Sequence, residues 1–117
     1  MIAWHPITST AQWPELVQSS WVQPLVIFKH STRCSISSMV YNRLNSAAQP
    51  SEDKTWVFLD LLQYRDVSNL VADETGIEHE SPQIIVMWQG KTVYSASHTA
   101  IQMNDILEKI MSEGIRN

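Results

Sequence analysis

Residues 28–37, FKHSTRCSIS, hold the one cysteine of the chain, Cys34, with Ser37 three residues on. A thiolate is the attacking species in disulfide exchange. A step of three residues is one helical turn, so a helix starting here would stack Ser37 near the sulfur. A serine cannot resolve a mixed disulfide, but its hydroxyl can donate to a thiolate. The spacing therefore points to one-thiol chemistry. Cys34 attacks a mixed disulfide, accepts the small thiol and waits for an outside thiol to release it. Thr32 and Ser31 offer further hydroxyls, while Lys29, His30 and Arg33 add positive potential where they turn inward. The expected thiolate-stabilising set is Ser37, Thr32, Arg33 and His30. Plainer roles compete: a lone cysteine is often an inert buried residue, and a first-turn serine often serves only the backbone. His30 at a strand end can face solvent, and Arg33 can be a solvated turn residue.

What separates these readings is the position of Cys34 between elements. Leu25 to Phe28 form an apolar run of strand length, as in a strand buried on both faces of a mostly parallel sheet. FKH closes that strand and STR is the turn. Ile36, Met39, Val40, Leu44 and Ala47 then recur at steps of three and four, which is a helix. Cys34 thus opens a helix, whose first N–H groups and dipole favour an anion. Past a Pro50 loop, SAAQPSEDK, the run TWVFLDLL reads as a strand returning parallel through a right-handed crossover.

Upstream, Trp13, Leu16, Val17 and Trp21 have helical spacing, with Ser9 and Gln12 as a capping box and Pro14 suited to the first helical position. Downstream, Asp66 is the expected N-cap of a helix carrying Val67, Leu70 and Val71, ended by Gly76. Ile84–Trp88 and Thr92–Ala96 form a hairpin turning at Gln89-Gly90. Met103, Ile106, Leu107, Ile110 and Met111 give a last helix, with Thr99 and Gln102 as a capping box and Gly114 at its end. The fold class is α/β: a four-stranded mixed sheet with helices on both faces, the layout of the thioredoxin-fold core. In that layout the proline entering the hairpin, Pro82, faces the cysteine. With a cis Ser81–Pro82 bond, the Ser81 backbone can pair with an extended substrate; a trans proline at a strand entry is the plainer alternative. Trp13, Trp56 and Trp88 fit core positions, Trp21 closes the first helix, and Trp4 has no assigned place.

The 117 residues suit one domain, with 44% hydrophobic and 17% charged residues, enough for a core without disulfides or a structural metal. A formal net charge of -4 argues against nucleic acid as a partner. A single cysteine fits a reducing compartment. No basic segment leads a long apolar run, and none approaches the ~20 apolar residues of a membrane span, so the expected address is cytoplasmic with no membrane partner. His5, His30, His79 and His98 lack the paired spacing of metal ligands. Three scattered glycines leave no phosphate loop.

FKHSTRCSISSM, SPQIIV and WQGKTVYSASH together resemble the monothiol bacilliredoxin family, thioredoxin-fold proteins of the bacillithiol system. The stretch around Cys34 is the most specific part. The resemblance implies that Cys34 removes bacillithiol, or a similar small thiol, from S-thiolated proteins. It implies no bound cofactor, with the small thiol as co-substrate and a small-thiol reductant as partner. Ser81 and Pro82 would shape the substrate groove. Family members usually carry proline directly after the cysteine; this chain has Ser35. CSIS also lacks the glycine and aromatic that cluster-carrying monothiol glutaredoxins place in this motif. Two rival readings are a thioredoxin-fold binding or adaptor module and an S-thiolation sensor without turnover.

Overall fold

The computed structural model describes residues 2–47 and 53–114. The expected Pro50 turn lies outside them. The strands are β1 (His5–Pro6), β2 (Leu25–His30), β3 (Thr55–Asp60), β4 (Gln83–Trp88) and β5 (Lys91–Ser97). The helices are α1 (Trp13–Ser19), α2 (Ser35–Ala47), α3 (Arg65–Thr75) and α4 (Met103–Ser112). One mixed sheet runs in the order β1-β3-β2-β4-β5. β1 and β2 both pair parallel with β3, whereas β4 pairs antiparallel with β2 and β5.

The sheet has five strands, not the expected four. The added strand is the pair His5 and Pro6, in register with Val57 and Phe58 of β3. Two residues carry no alternation, and one is a proline that suits only a sheet edge, so no sequence period marks it.

Side-chain alternation along β2 divides the core. Val26 and Phe28 face α2 and α4, packing with Val40, Leu44, Ile106 and Ile110. Leu25 and Ile27 face α1 and α3, packing with Trp13, Leu16, Val67 and Val71. Every residue of β2 is buried, including Lys29 and His30 at its end. Trp4 finds its place on the α2 side, stacked on Tyr41 at 5.8 Å with Nε1 donating to Asn45 Oδ1 at 3.0 Å.

Several boundaries depart from the sequence pattern. Residues Thr10–Gln12 form a 3-10 turn, so α1 begins only at Trp13, with Pro14 in its first turn. Gln12 Oε1 accepts the Thr8 and Ser9 N–H groups at 2.8 and 3.0 Å. The N-cap of α3 is Tyr64 rather than Asp66, which sits in the first turn, where the dipole still favours its carboxylate. The N-cap of α4 is Gln102, because Thr99 is drawn into a 3-10 turn over His98–Ala100. The β4–β5 turn has positive φ at both Gln89 (52°) and Gly90 (76°), the conformation a two-residue hairpin requires.

Candidate functional site

The site lies at the carboxyl ends of β2 and β3. Their parallel register puts His30 beside Asp60, and Leu61 N–H donates to the His30 carbonyl at 3.1 Å. The chain after β2 and the chain after β3 therefore leave the sheet side by side. After β2 it turns at once: Cys34 N–H donates to Ser31 C=O at 3.2 Å, which projects Thr32 and Arg33 at the tip. The Cys34 carbonyl accepts Ser38 N–H at 3.1 Å, the first bond of α2. Cys34 is thus the residue that caps α2, half-buried and a free thiol. Its sulfur sits at the end of a helix of 13 residues, where unpaired N–H groups favour negative charge.

The four expected supporting side chains divide into two pairs. Ser37 is fully buried; its Oγ lies 2.6 Å from His30 Nδ1 and accepts Ser31 N–H at 3.1 Å. Among the described residues no hydrogen bond reaches Cys34 Sγ. Ser37 therefore holds the turn, through His30 and Ser31. His30 is itself buried among the rings of Phe28, Tyr41 and Phe58. Burial pushes its pKa below the usual imidazole value, against a smaller upward pull from the Asp60 carboxylate. Thr32 and Arg33 are exposed instead, and line an open crevice with Asp60, Leu62, Gln63 and Arg65.

The Ser81–Pro82 bond is cis. The β2–β4 ladder ends at Lys29 and Gln83, so Pro82 lies one step past the last pair, at the level where His30 leads into the turn before Cys34. The Pro82 carbonyl accepts His98 N–H at 2.9 Å on its other side. Ser81 Oγ and Gln83 Oε1 are buried without a hydrogen-bond partner.

Two groups near the site carry no period or motif in the sequence. Lys29 points to the α3 face of the sheet, fully buried. Its Nζ donates to Ser68 C=O at 3.3 Å and lies 3.4 Å from His79 Nδ1. Burial lowers the amine to about 8. The His79 pKa is also lowered, first by burial and then by the Lys29 charge. The other is the wall formed by Asp60, Gln63 and Arg65, which strand pairing alone brings beside Arg33. No three His, Cys, Asp or Glu side chains come together as a metal set among the described residues. No described helix is long and apolar enough to cross a membrane.

A family model described as monothiol bacilliredoxin BrxC matches residues 5–106. Among solved structures, a candidate oxidoreductase with a thioredoxin fold aligns with a TM-score of 0.79 at 25% identity, over 91% of this chain and 92% of its own. Thioredoxin f from spinach chloroplast, short form, aligns with a TM-score of 0.71 at 18% identity, over 98% and 100%. Fasciola hepatica thioredoxin gives 0.73 at 13% identity, over 92% and 97%. The last two share the fold.

Proposed function

The chain belongs to the monothiol bacilliredoxin family, and from that premise we propose that it removes a small thiol, bacillithiol or one similar to it, from S-thiolated proteins. The observation that carries this reading is a free, half-buried Cys34 capping α2, with a buried serine where a second thiol would stand. The Cys34 thiolate attacks the small-thiol sulfur of the mixed disulfide. The substrate protein leaves as its thiolate, and a Cys34–small-thiol disulfide remains. An outside small thiol then attacks that disulfide and releases Cys34, so each step exchanges one S–S bond for another without net oxidation. The helix N-terminus supports the anion. Thr32 and Arg33 flank it, and His30 and Ser37 fix the turn that presents it. Ser81 and Pro82 form the wall against which the protein substrate lies. A cytoplasmic, reducing setting suits a thiol that must be kept free.

Incubation with a bacillithiolated protein, followed by intact mass, tests this. The small thiol is expected to leave the substrate and appear transiently on Cys34. Equal transfer by Cys34→Ala would sink the reading. Modification of Cys34 without turnover would favour a sensor.

A further inference from the structure

The crevice is lined by Thr32 and Arg33, the two residues that precede Cys34. It lies outside the carboxyl ends of two parallel strands, the position where open α/β sheets commonly hold ligands. Its volume is about 360 Å³, within the range of small-molecule sites. One wall is Thr32 and Arg33, immediately before Cys34; the other is Asp60, Leu62, Gln63 and Arg65. Neither Arg33 nor Arg65 pairs with a carboxylate among the described residues. The chain is acidic, with a net charge of -4, so two arginines without a carboxylate partner lining one crevice stand against its general character. Asp60 occupies itself partly with its own loop, where its Oδ1 accepts Gln63 N–H at 3.3 Å. Arg65 is the first residue of α3, and Arg33 stands just before α2. Two helix N-termini therefore border the same space as the two arginines, and all four features favour an anion.

We infer that this crevice seats the non-sulfur part of the small thiol, and that Arg33 and Arg65 select thiols bearing carboxylates. The inference rests on the one-thiol exchange proposed above and adds what that reading leaves open, which residues hold the part of the small thiol away from its sulfur. With the ligand's carboxylates between the guanidiniums, its sulfur lies toward Cys34. The Asp60 carboxylate and Gln63 amide remain for an ammonium or hydroxyl on the same ligand.

The test uses the reduced full chain and three symmetrical disulfides: oxidised glutathione, which carries carboxylates; neutral bis(2-hydroxyethyl) disulfide; and cationic cystamine. In each, Cys34 thiolate attacks one sulfur, the probe's S–S bond breaks, and half the probe leaves as thiolate while half stays on Cys34. The readout is the rate of mixed-disulfide formation by quenched mass spectrometry, taken as the ratio of anionic to neutral probe. Arg65→Gln is expected to lower that ratio by about tenfold at low salt, and Arg65→Lys by less than about threefold. Raising the salt should narrow the wild-type preference in the same direction. A ratio unchanged in Arg65→Gln, or a wild-type preference for cystamine, overturns the inference while leaving exchange at Cys34 intact. Failure of all three probes to modify Cys34 overturns the exchange reading itself.

Discussion

Ser37 Oγ lies 2.6 Å from His30 Nδ1, and the same oxygen accepts the Ser31 N–H at 3.1 Å. One hydroxyl from the first turn of α2 thus ties down both the end of β2 and the turn that leads to Cys34. All three partners are buried, so their hydrogen bonds have no water to replace them.

Ser37→Ala therefore leaves an imidazole nitrogen and a backbone N–H unpaired in the interior. The expected loss is about 1–3 kcal/mol of stability. Urea unfolding measures it. Because the hydroxyl is engaged away from the sulfur, the exchange rate of Cys34 at low denaturant should change by less than about threefold, an energy below about 1 kcal/mol. A rate loss beyond that with stability intact would place the Ser37 hydroxyl on the thiolate.

His30 makes stability pH-dependent on the acid side. Its folded pKa lies below the usual 6.5, chiefly through burial. Well above 6.5 the ring is neutral in both states and its contribution is complete. As the pH falls below 6.5 the unfolded chain takes up the proton first, so stability declines until the folded pKa is passed. His79 shifts the same way and adds to the slope. Unfolding midpoints at pH 7.0, 6.0 and 5.0 should fall in that order. His30→Phe, which keeps an aromatic ring among Phe28, Tyr41 and Phe58 but cannot titrate, should reduce the slope and leave the part due to His79.

Lys29 acts on the alkaline side with the same sign. Its amine is lowered from 10.5 to about 8 by burial. Below pH 8 the folded state carries a buried charge, which costs stability. Between about 8 and 10.5 the unfolded chain binds more protons, so stability rises with pH. Tyr94, whose pKa is raised mainly by burial, opposes this above pH 10, so measurements belong between pH 7 and 9.5. The wild type should gain stability across that window. Lys29→Met should remove the gain and equal or exceed the wild type at pH 7, by up to about 3 kcal/mol.

Much of this was readable from residue order alone. Leu25–Phe28 and the spacing Ile36, Val40, Leu44 specify a buried strand feeding a helix, because apolar period reports which faces are covered. Gln89-Gly90 names its own turn. Ends were less legible than middles. Asp66 and Thr99 are good caps by type, yet Tyr64 and Gln102 hold those positions, since strand exits and 3-10 turns set where each helix starts. The place of Cys34 at the start of α2 was legible because it is local, whereas the partners of Ser37, His30 Nδ1 and Ser31 N–H, were not. Arg65 and Asp60 were not, being some 30 residues away and joined to Arg33 only by the β2–β3 register. The sequence marks Lys29 and His30 as the end of a strand but not as buried, because charged and polar side chains give no periodic sign of which will be enclosed.

The residue closest to the sulfur that departs from the family resemblance, Ser35, is open to a direct substitution. It is the first residue of α2, and the helix closes its first bond from Ser38 to the Cys34 carbonyl. The N–H of Ser35 therefore has no intrahelical acceptor to lose. Proline is favoured at this position because its fixed φ matches the helix. The residue before a proline must avoid the helical region, and a capping residue such as Cys34 ordinarily does. Ser35→Pro should fold normally and unfold at equal or higher urea, gaining up to about 1 kcal/mol from a less free unfolded chain. The same variant also removes the Ser35 N–H at the helix end, so the serine hydroxyl's influence on Cys34 is read from Ser35→Ala, which keeps that N–H. Equal exchange rates for the wild type and Ser35→Ala with a neutral disulfide would show that the hydroxyl contributes nothing to the thiolate. A stability loss above about 1 kcal/mol in Ser35→Pro would instead mean that Cys34 is already within the helix, and that α2 begins one residue earlier.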